Sequence, residues 1–413
     1  MMKIGVLDCN NFFVSCERVF RADLKNKPVV VLSGNDGCVV ARSQEIKDMG
    51  IAMGVPYFQI KDILKEAGAT VFSSNFALYR DISFRVFEII KSEIDNIEPY
   101  SIDECFFLTS ENELDRLSKL KVRIEKEVGI PVSVGVAASK TQAKYVNRVA
   151  KRTHKIEVWN QEKWCREVKN IRLSEIWGVG RSHMQSFIKL GLQTVEDYIN
   201  LPENFIRVNF GVNGERLYWE LKGVSALAVD SSIKQQKSLM SSRSLATATD
   251  KYEIVESEII GHIHSVATDL LGSNLVAKTL CVYVYPSRYG DFLMQGFSRE
   301  VSFDLATNDL FLLTKEGIKL LKDTYKNGVP YKKIGVIVSG LRPSDSVSET
   351  LFSDKSSKKT QELSDLIFAI NTKYKKGLEL GRLPKGFESR MINKKHLSPA
   401  YTTKWTELKT VKA

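Results

Sequence analysis

Asp8 closes the short apolar run Ile4-Gly5-Val6-Leu7, and Asp103 and Glu104 stand inside Tyr100-Ser-Ile-Asp-Glu-Cys-Phe-Phe107, a segment otherwise suited to burial. An ionised carboxylate at the margin of a core must be paired or coordinate a metal, and oxygen-only donors suit Mg²⁺, which takes one or two carboxylates plus phosphate oxygens. Two such ions can lower the pKa of an attacking hydroxyl and neutralise a leaving phosphate, which is the chemistry of phosphoryl transfer. Each acid taken singly could simply end a strand. Adjacent residues on a flat strand also point to opposite faces, so Asp103 and Glu104 converge only at a bend or a strand end.

A second candidate is a helical stretch whose basic residues Lys140, Lys144, Arg148 and Lys151 fall four, four and three apart, with Ala143, Val146 and Ala150 on another face. Such a stripe is either a solvated face or a rail for phosphates. Gly135 and Ser139-Lys140-Thr141 superficially resemble a P-loop, but no glycine precedes the lysine, which excludes that reading. Phe12 and Phe13 follow Asp8 closely, and Phe12 reads most simply as core. Gly178-Val179-Gly180 can aim backbone N–H groups at a phosphate without any side chain, a contact blind to sequence.

These residues need elements to hold them. Residues 4–7 and 28–32, the latter closed by Ser33-Gly34-Asn35-Asp36-Gly37, read as buried strands. Ile82, Val86, Ile90 and Ile94 recur every four residues, predicting an amphipathic helix that leads into Pro99 and a strand over 101–108. A helix over 114–128, a strand over 131–137 and a helix capped by Ser139 follow. Strands alternating with helices up to about residue 160 predict an α/β or α+β core. Residues 173–177 and 184–190 predict two short helices around the glycine pair, and the polar stretch 230–237 reads as a linker. Beyond it the pattern predicts strand 239–248, helix 252–271, strands 278–285 and 292–303, helix 309–325 and strand 333–340, a small sheet with two helices. After Pro343, serine, aspartate and lysine dominate up to Thr360, predicting a flexible joint before a short helix and a basic tail.

The 413 residues make two to four domains at roughly 150 residues each. With 43% hydrophobic and 26% charged residues and only 10 prolines, collagen, wholesale disorder and low-complexity arrays are excluded. No apolar run approaches the roughly 20 residues that span a bilayer, and Asp8 interrupts any signal-like stretch, so no membrane association and a cytoplasmic location are expected. The six cysteines are scattered without a C-x-x-C pair, which argues against a zinc module or a disulfide framework. Lys and Arg number 60 against 49 Asp and Glu, and the net +11 points to nucleic acid or another acidic partner. Residues 351–413 hold 14 of those bases and 6 of those acids, so most of the excess lies in the tail, which reads as a separate tether.

Taken together these residues resemble the Y-family translesion DNA polymerases of the UmuC type. The resemblance rests on Asp8-Cys-Asn-Asn-Phe-Phe13, Lys27-Pro-Val-Val-Val31, Asn35-Asp-Gly-Cys-Val-Val-Ala-Arg42, Ser73-Ser-Asn75 with Tyr79, Tyr100-Ser-Ile-Asp-Glu104 and Leu397-Ser-Pro-Ala-Tyr-Thr-Thr-Lys-Trp405, in the family's order. It implies an error-prone DNA-directed DNA polymerase of the SOS response, built as a right hand: a ferredoxin-like palm (1–12 and 78–165), fingers (13–77), a helix-hairpin-helix thumb (166–230), a linker (231–237), a little finger (238–342) and a joint with a basic extension (343–413). Asp8, Asp103 and Glu104 would hold two Mg²⁺ with the carbonyl of Cys9, the two neighbours meeting at a hairpin bend. Phe12, Phe13, Cys38, Val40, Arg42, Gln44, Lys47 and Lys151 would surround the incoming nucleotide. Phe13 would be the steric gate against ribose, and small Cys38 and Val40 would leave a loose pocket over the nascent pair. Lys140, Lys144, Arg148, Gly178 and Gly180 would face primer-template DNA. Leu351 and Phe352, within Ser348-Glu-Thr-Leu-Phe352, resemble a degenerate sliding-clamp peptide, and a UmuD-type accessory protein and a RecA filament are further implied partners. A non-catalytic DNA-binding scaffold is the rival, and it needs neither the gate aromatic nor Lys151.

Overall fold

Alternation along the first strand divides the core in two. Ile4 and Val6 join one buried cluster and Leu7 and Cys9 another, so this strand is apolar on both faces and must lie inside a sheet covered on both sides. A computed structural model describes residues 2–153, 155–232, 235–286, 296–346, 355–374, 378 and 394–408. The chain divides into two units, Met1–Ile233 with Lys394–Ala413, and Lys234–Asn393.

In the first unit the chain runs β1 (Met2–Cys9), α1 (Phe12–Phe20), β2 (Val29–Leu32), β3 (Val39–Arg42), α2 (Gln44–Asp48), α3 (Tyr57–Glu66), β4 (Thr70–Ser73) and α4 (Phe76–Glu93). It continues through β5 (Ile97–Pro99), β6 (Glu104–Ser110), α5 (Leu114–Glu127), β7 (Val132–Ala137), α6 (Lys140–Thr153), β8 (Glu157–Val158), α7 (Gln161–Glu167), α8 (Arg181–Lys189), α9 (Val195–Ile199) and α10 (Glu203–Leu221). The main sheet has the order β5-β6-β1-β7-β8, with β1 antiparallel to both neighbours. Side chains of α1, α4 and α5 cover one face, and α6 with the 159–221 segment covers the other. A three-stranded sheet, β3-β2-β4, carries its own small core with Ile46, Ile60 and Leu64 of α2 and α3. Ser139 caps α6 as expected, its Oγ accepting from Gln142 N at 3.3 Å and donating to Glu220 O at 2.6 Å.

The second unit contains β9 (Ser238–Thr249), α11 (Tyr252–Gly272), β10 (Leu275–Pro286), β11 (Phe297–Thr307), α12 (Leu310–Thr324), β12 (Tyr331–Ser339), β13 (Arg342–Pro343) and α13 (Lys355–Tyr374). Its antiparallel sheet, β11-β10-β12-β9, packs one face on α11 and α12, close to the sequence expectation.

The tail departs from that expectation. A helix of 20 residues, not a short one, follows the joint, and Ile367 lies buried in the core of the second unit while Ser364 Oγ donates to Asp309 Oδ1 at 3.0 Å. Residues 394–408 belong instead to the first unit. Ser73 N donates to His396 O at 2.9 Å, Lys395 N to Asp36 Oδ2 at 2.8 Å, and Tyr401 stacks on Phe20 with ring centroids 4.5 Å apart. The described part of the tail is therefore docked structure and not a free tether, because its few serines and aromatics find buried partners despite the surrounding lysines.

Candidate active site

Asp8 and Glu104 face each other directly across the β1–β6 ladder, both nearly buried, at 8% and 9% exposure. Asp103 lies in the bend just before β6, and its carbonyl accepts from Cys9 N at 2.8 Å. Glu104 O accepts from both Tyr100 N and Ser101 N, at 3.0 and 3.2 Å, which closes that bend tightly. The expected obstacle, two neighbours pointing to opposite faces, is removed because only Glu104 is in the strand. Burial pushes the Asp8 carboxyl up from its usual range, against the pull of Lys151 and with a contribution from Glu104. Burial likewise raises Asp103, opposed by a hydrogen bond from Ser101 and reinforced by Asp8.

The helix α6 reaches this edge because β7 offers no side chain at Gly135, where a Cβ would fall 2.2 Å from Asn147 N. Asn147 Nδ2 then donates to Val6 O and Ser133 O, at 3.1 and 2.9 Å, pinning the helix to two strands. Lys151 Nζ comes 2.7 Å from Asp8 Oδ1, and Lys144 pairs with Glu104. Lys140, its own side chain only 6% exposed, pairs with Glu98 at 2.5 Å, and Arg148 pairs with Glu175 at 2.7 Å. The expected rail of Lys140, Lys144, Arg148 and Lys151 is thus a row of ion pairs, in which Arg148 and Lys151 keep side chains 43% and 40% exposed. Its face lies over the acidic edge of the sheet, so each cation is matched, and Lys140 and Lys144 sit against the rings of Phe106 and Tyr100.

Phe13 is half-buried and stacks on Tyr79 with centroids 4.4 Å apart, with Phe76 edge-on at 5.9 Å. Phe12 points the other way into the core at 4% exposure, so its side chain is core, in line with its sequence reading, and only its backbone is left to meet a nucleotide. Arg42 donates to Ile51 O, Gln44 Nε2 turns to Asp48 Oδ1 of its own helix at 2.8 Å, and Lys47 Nζ donates to Asn11 Oδ1 at 2.5 Å. Burial lowers the Lys47 pKa, and the nearby charges of Lys151 and Arg42 lower it further. Those three cations from β3, α2 and α6 therefore form one positive field beside Asp8, a place for a polyanion. Cys38 bridges to Pro56 through its backbone, and Val40 packs half-buried on the core.

Gly178 has φ of +89°, a left-handed conformation that favours glycine, and Gly180 caps α8. The helix expected before this pair is only a 3₁₀ turn, Leu173–Glu175. Leu351 and Phe352 lie outside the described residues. Sequence reasoning gave no role to Asn11, left-handed at φ 48° and bonded to Lys47, or to buried Asn147. Asn11 did stand inside the Asp8-Cys-Asn-Asn-Phe-Phe13 run.

Three carboxylates supply hard oxygen donors of the kind Mg²⁺ prefers, and the burial cost of Asp8 and Asp103 is one a cation would relieve. Among the described residues no three acidic, histidine or cysteine side chains are already closed into a ligand shell. Lys151 and Lys144 pair with Asp8 and Glu104, and the donor chemistry fits the metal.

Residues 7–148 match the impB/mucB/samB family, and residues 236–351 match the C-terminal domain of the same family. The chain is 31% identical to protein UmuC of Salmonella typhimurium over 99% of its length and all of that protein's. It is also 31% identical to protein ImpB of Salmonella typhimurium, covering 98% of each chain. DNA polymerase IV of Corynebacterium diphtheriae is 30% identical over 84% of this chain and 76% of its own. Among solved structures, a chimeric Y-family DNA polymerase superposes with a TM-score of 0.69 at 20% identity, covering 83% of this chain and all of that one. The insertion ternary complex of Dbh DNA polymerase gives 0.57 at 20% identity and the same coverage.

Proposed function

The chain belongs to the impB/mucB/samB family, the UmuC-type branch of the Y-family DNA polymerases, and from that premise we propose that it extends primers past DNA lesions at the Asp8, Asp103 and Glu104 centre. It is a DNA-directed DNA polymerase of translesion synthesis. The observation that carries the site is the opposition of Asp8 and Glu104 across one ladder, with Asp103 in the adjoining bend and the Arg42, Lys47 and Lys151 field beside them.

The primer 3′-oxygen forms a bond to the α-phosphorus of the deoxynucleotide, the bond from that phosphorus to the bridging oxygen breaks, and pyrophosphate leaves while the hydroxyl proton passes to solvent or a nearby base. Asp8, Asp103 and Glu104, with the carbonyl of Cys9, would hold two Mg²⁺. When bound, those ions supply the charge that acidifies the 3′-hydroxyl and neutralises the leaving group. Lys151, Lys47 and Arg42 bind the triphosphate and orient its α-phosphorus. Lys151, free to turn from Asp8, would give its charge to the phosphate oxygens. Phe13, held by Tyr79 and Phe76, packs against the sugar C2′ and leaves no room for a ribose hydroxyl. Small Cys38 and Val40 leave space over the nascent pair, so misshapen template bases are tolerated.

In this reading the palm is residues 1–12 and 78–165, the fingers 13–77, the thumb 166–230 and the little finger 238–342. Gly178 and Gly180 present backbone N–H groups to the DNA backbone. The family likeness supports a cytoplasmic enzyme recruited by a UmuD-type protein, a RecA filament and a sliding clamp. Primer extension with Mg²⁺ opposite an abasic site tests the centre: the parent chain extends and Asp103→Ala does not. Equal extension by both would remove Asp103 from the site.

A further inference from the structure

Glu17 is fully buried on α1, four residues beyond Phe13, and its Oε1 accepts two hydrogen bonds. One comes from Tyr79 Oη at 2.8 Å and the other from Ser398 Oγ at 3.0 Å. Tyr79 is the ring on which Phe13 stacks, with planes 14° apart. The path Ser398, Glu17, Tyr79, Phe13 therefore joins the C-terminal strap, residues 394–408, to the gate ring through two hydrogen bonds and one stacking contact. The strap is held independently of this path. Asn75 Nδ2 donates to Ser398 Oγ at 3.0 Å and lies 3.3 Å from Pro399 O, His396 N donates to Ser73 Oγ at 3.0 Å, and Lys394 Nζ to Ser74 O at 3.1 Å. The two rings that hold Phe13, Tyr79 stacked and Phe76 edge-on, both lie on α4, whose N-terminus at Asn75 the strap also grips.

A ring that excludes a hydroxyl must be held to a fraction of an ångström, since the oxygen it rejects is one atom. Tyr79 can hold Phe13 that closely only if its own hydroxyl has one orientation, and Glu17 fixes that orientation. Glu17 in turn is fully buried with Oε2 unpartnered among the described residues, so the carboxyl is held through Oε1 alone and the strap supplies one of its two donors. We propose that Ser398 is a positioning residue for sugar selection, acting through Glu17 and Tyr79 on Phe13, and that the C-terminal strap is a constituent of the nucleotide site. This rests on the reading of Phe13 as the ribose gate.

The test is the ratio of deoxynucleotide to ribonucleotide kcat/KM in single-nucleotide insertion by the full chain, for the parent, Phe13→Ala, Tyr79→Phe, Ser398→Ala and the Tyr79→Phe/Ser398→Ala double variant. Ser398→Ala removes one oxygen and leaves the strap bonded through Asn75 to Pro399 O, so it stays docked. The expected result is a fall in the ratio on the order of a hundredfold for Phe13→Ala and roughly three- to tenfold for each of Tyr79→Phe and Ser398→Ala. The double variant falls no further than the worse single one, because both act through one carboxyl. If Phe13→Ala leaves the ratio unchanged, the gate reading fails and this proposal with it. If Phe13→Ala lowers the ratio while Ser398→Ala does not, or lowers both substrates equally, the gate stands and the strap's role is overturned.

Discussion

Lys151 Nζ lies 2.7 Å from Asp8 Oδ1, so a residue from the last turn of α6 neutralises the acid at the end of β1. The lysine side chain is 40% exposed while Asp8 is nearly buried, so Lys151 can swing to another anion while the acid stays in place. Replacing it with alanine leaves Asp8 without its cation and removes substrate grip. A charge-assisted contact to phosphate of about 1.5–3 kcal/mol predicts a loss of roughly 10- to 100-fold in kcat/KM for the incoming nucleotide. Single-turnover insertion against nucleotide concentration checks this, and Lys151→Ala with unchanged kcat/KM would remove it from the triphosphate site.

Asp103 has the opposite balance. Its carboxyl is raised by burial and by the neighbouring Asp8, so its charge is a burden to the fold that function retains. Asp103→Asn is expected to melt at or above the parent temperature while losing about 1,000-fold or more in extension rate. Calorimetry and primer extension on the same preparation measure both, and a lower melting temperature with full activity would contradict both halves.

The position of α6 depends on one missing atom. Gly135→Ala would drive a methyl group to 2.2 Å from Asn147 N, where the obstacle is backbone and cannot swing aside. Overpacking of this kind costs about 3 kcal/mol, or on the order of 10 °C in melting temperature. It should also weaken extension, since Lys144 and Lys151 ride on that helix, and unaltered melting would refute the close approach.

Glu17 makes stability fall with pH. Burial lifts its pKa from 4.5 to about 7, despite hydrogen bonds from Tyr79 and Ser398 and the charge of Arg21. The folded chain then binds a proton that the unfolded chain has already lost between those two values. Stability is greatest below pH 4.5 and declines as pH rises to 7, by roughly 3 kcal/mol for this group. Glu17→Gln should accordingly melt like the parent near pH 5 and progressively above it towards pH 8. Equal melting curves for the two proteins across that range would show that Glu17 titrates normally.

The sequence made the acids legible because each ends or interrupts an apolar run, and the strands legible because β1, β6 and β7 are apolar on both faces. It also separated Phe12 from Phe13 only partly, since on a helix two neighbours differ by about 100° and only packing decides which one turns inward. The pairing of the α6 cations was hidden for a different reason. Their partners Glu98, Glu104 and Glu175 lie 27 to 42 residues away, so helical spacing displayed the stripe and hid its neutralisation. The docking of the strap was least legible, because Ser398 meets Glu17 across 381 residues and the run Leu397-Ser-Pro-Ala-Tyr-Thr-Thr-Lys-Trp405 does not show which buried group it reaches.

That last contact reverses what truncation should do. A chain ending at residue 350 would keep its chemistry if the tail were only a charged tether. The described tail instead supplies a donor to Glu17, partners for Ser73, Asn75 and Asp36, and the ring that covers Phe20. Its removal leaves Glu17 with one donor in an apolar site and opens the α1 side of the core, a loss of about 1–3 kcal/mol for the carboxyl alone. Basal extension on undamaged template is therefore expected to drop roughly tenfold or more, which is the factor 1.4 kcal/mol carries when it falls on the competent state. A synthetic peptide of residues 394–408, added in trans at millimolar concentration, should recover part of that activity, whereas a peptide with Ser398 and Tyr401 replaced by alanine should not. Full basal activity in the truncated chain would return the tail to the role of a tether.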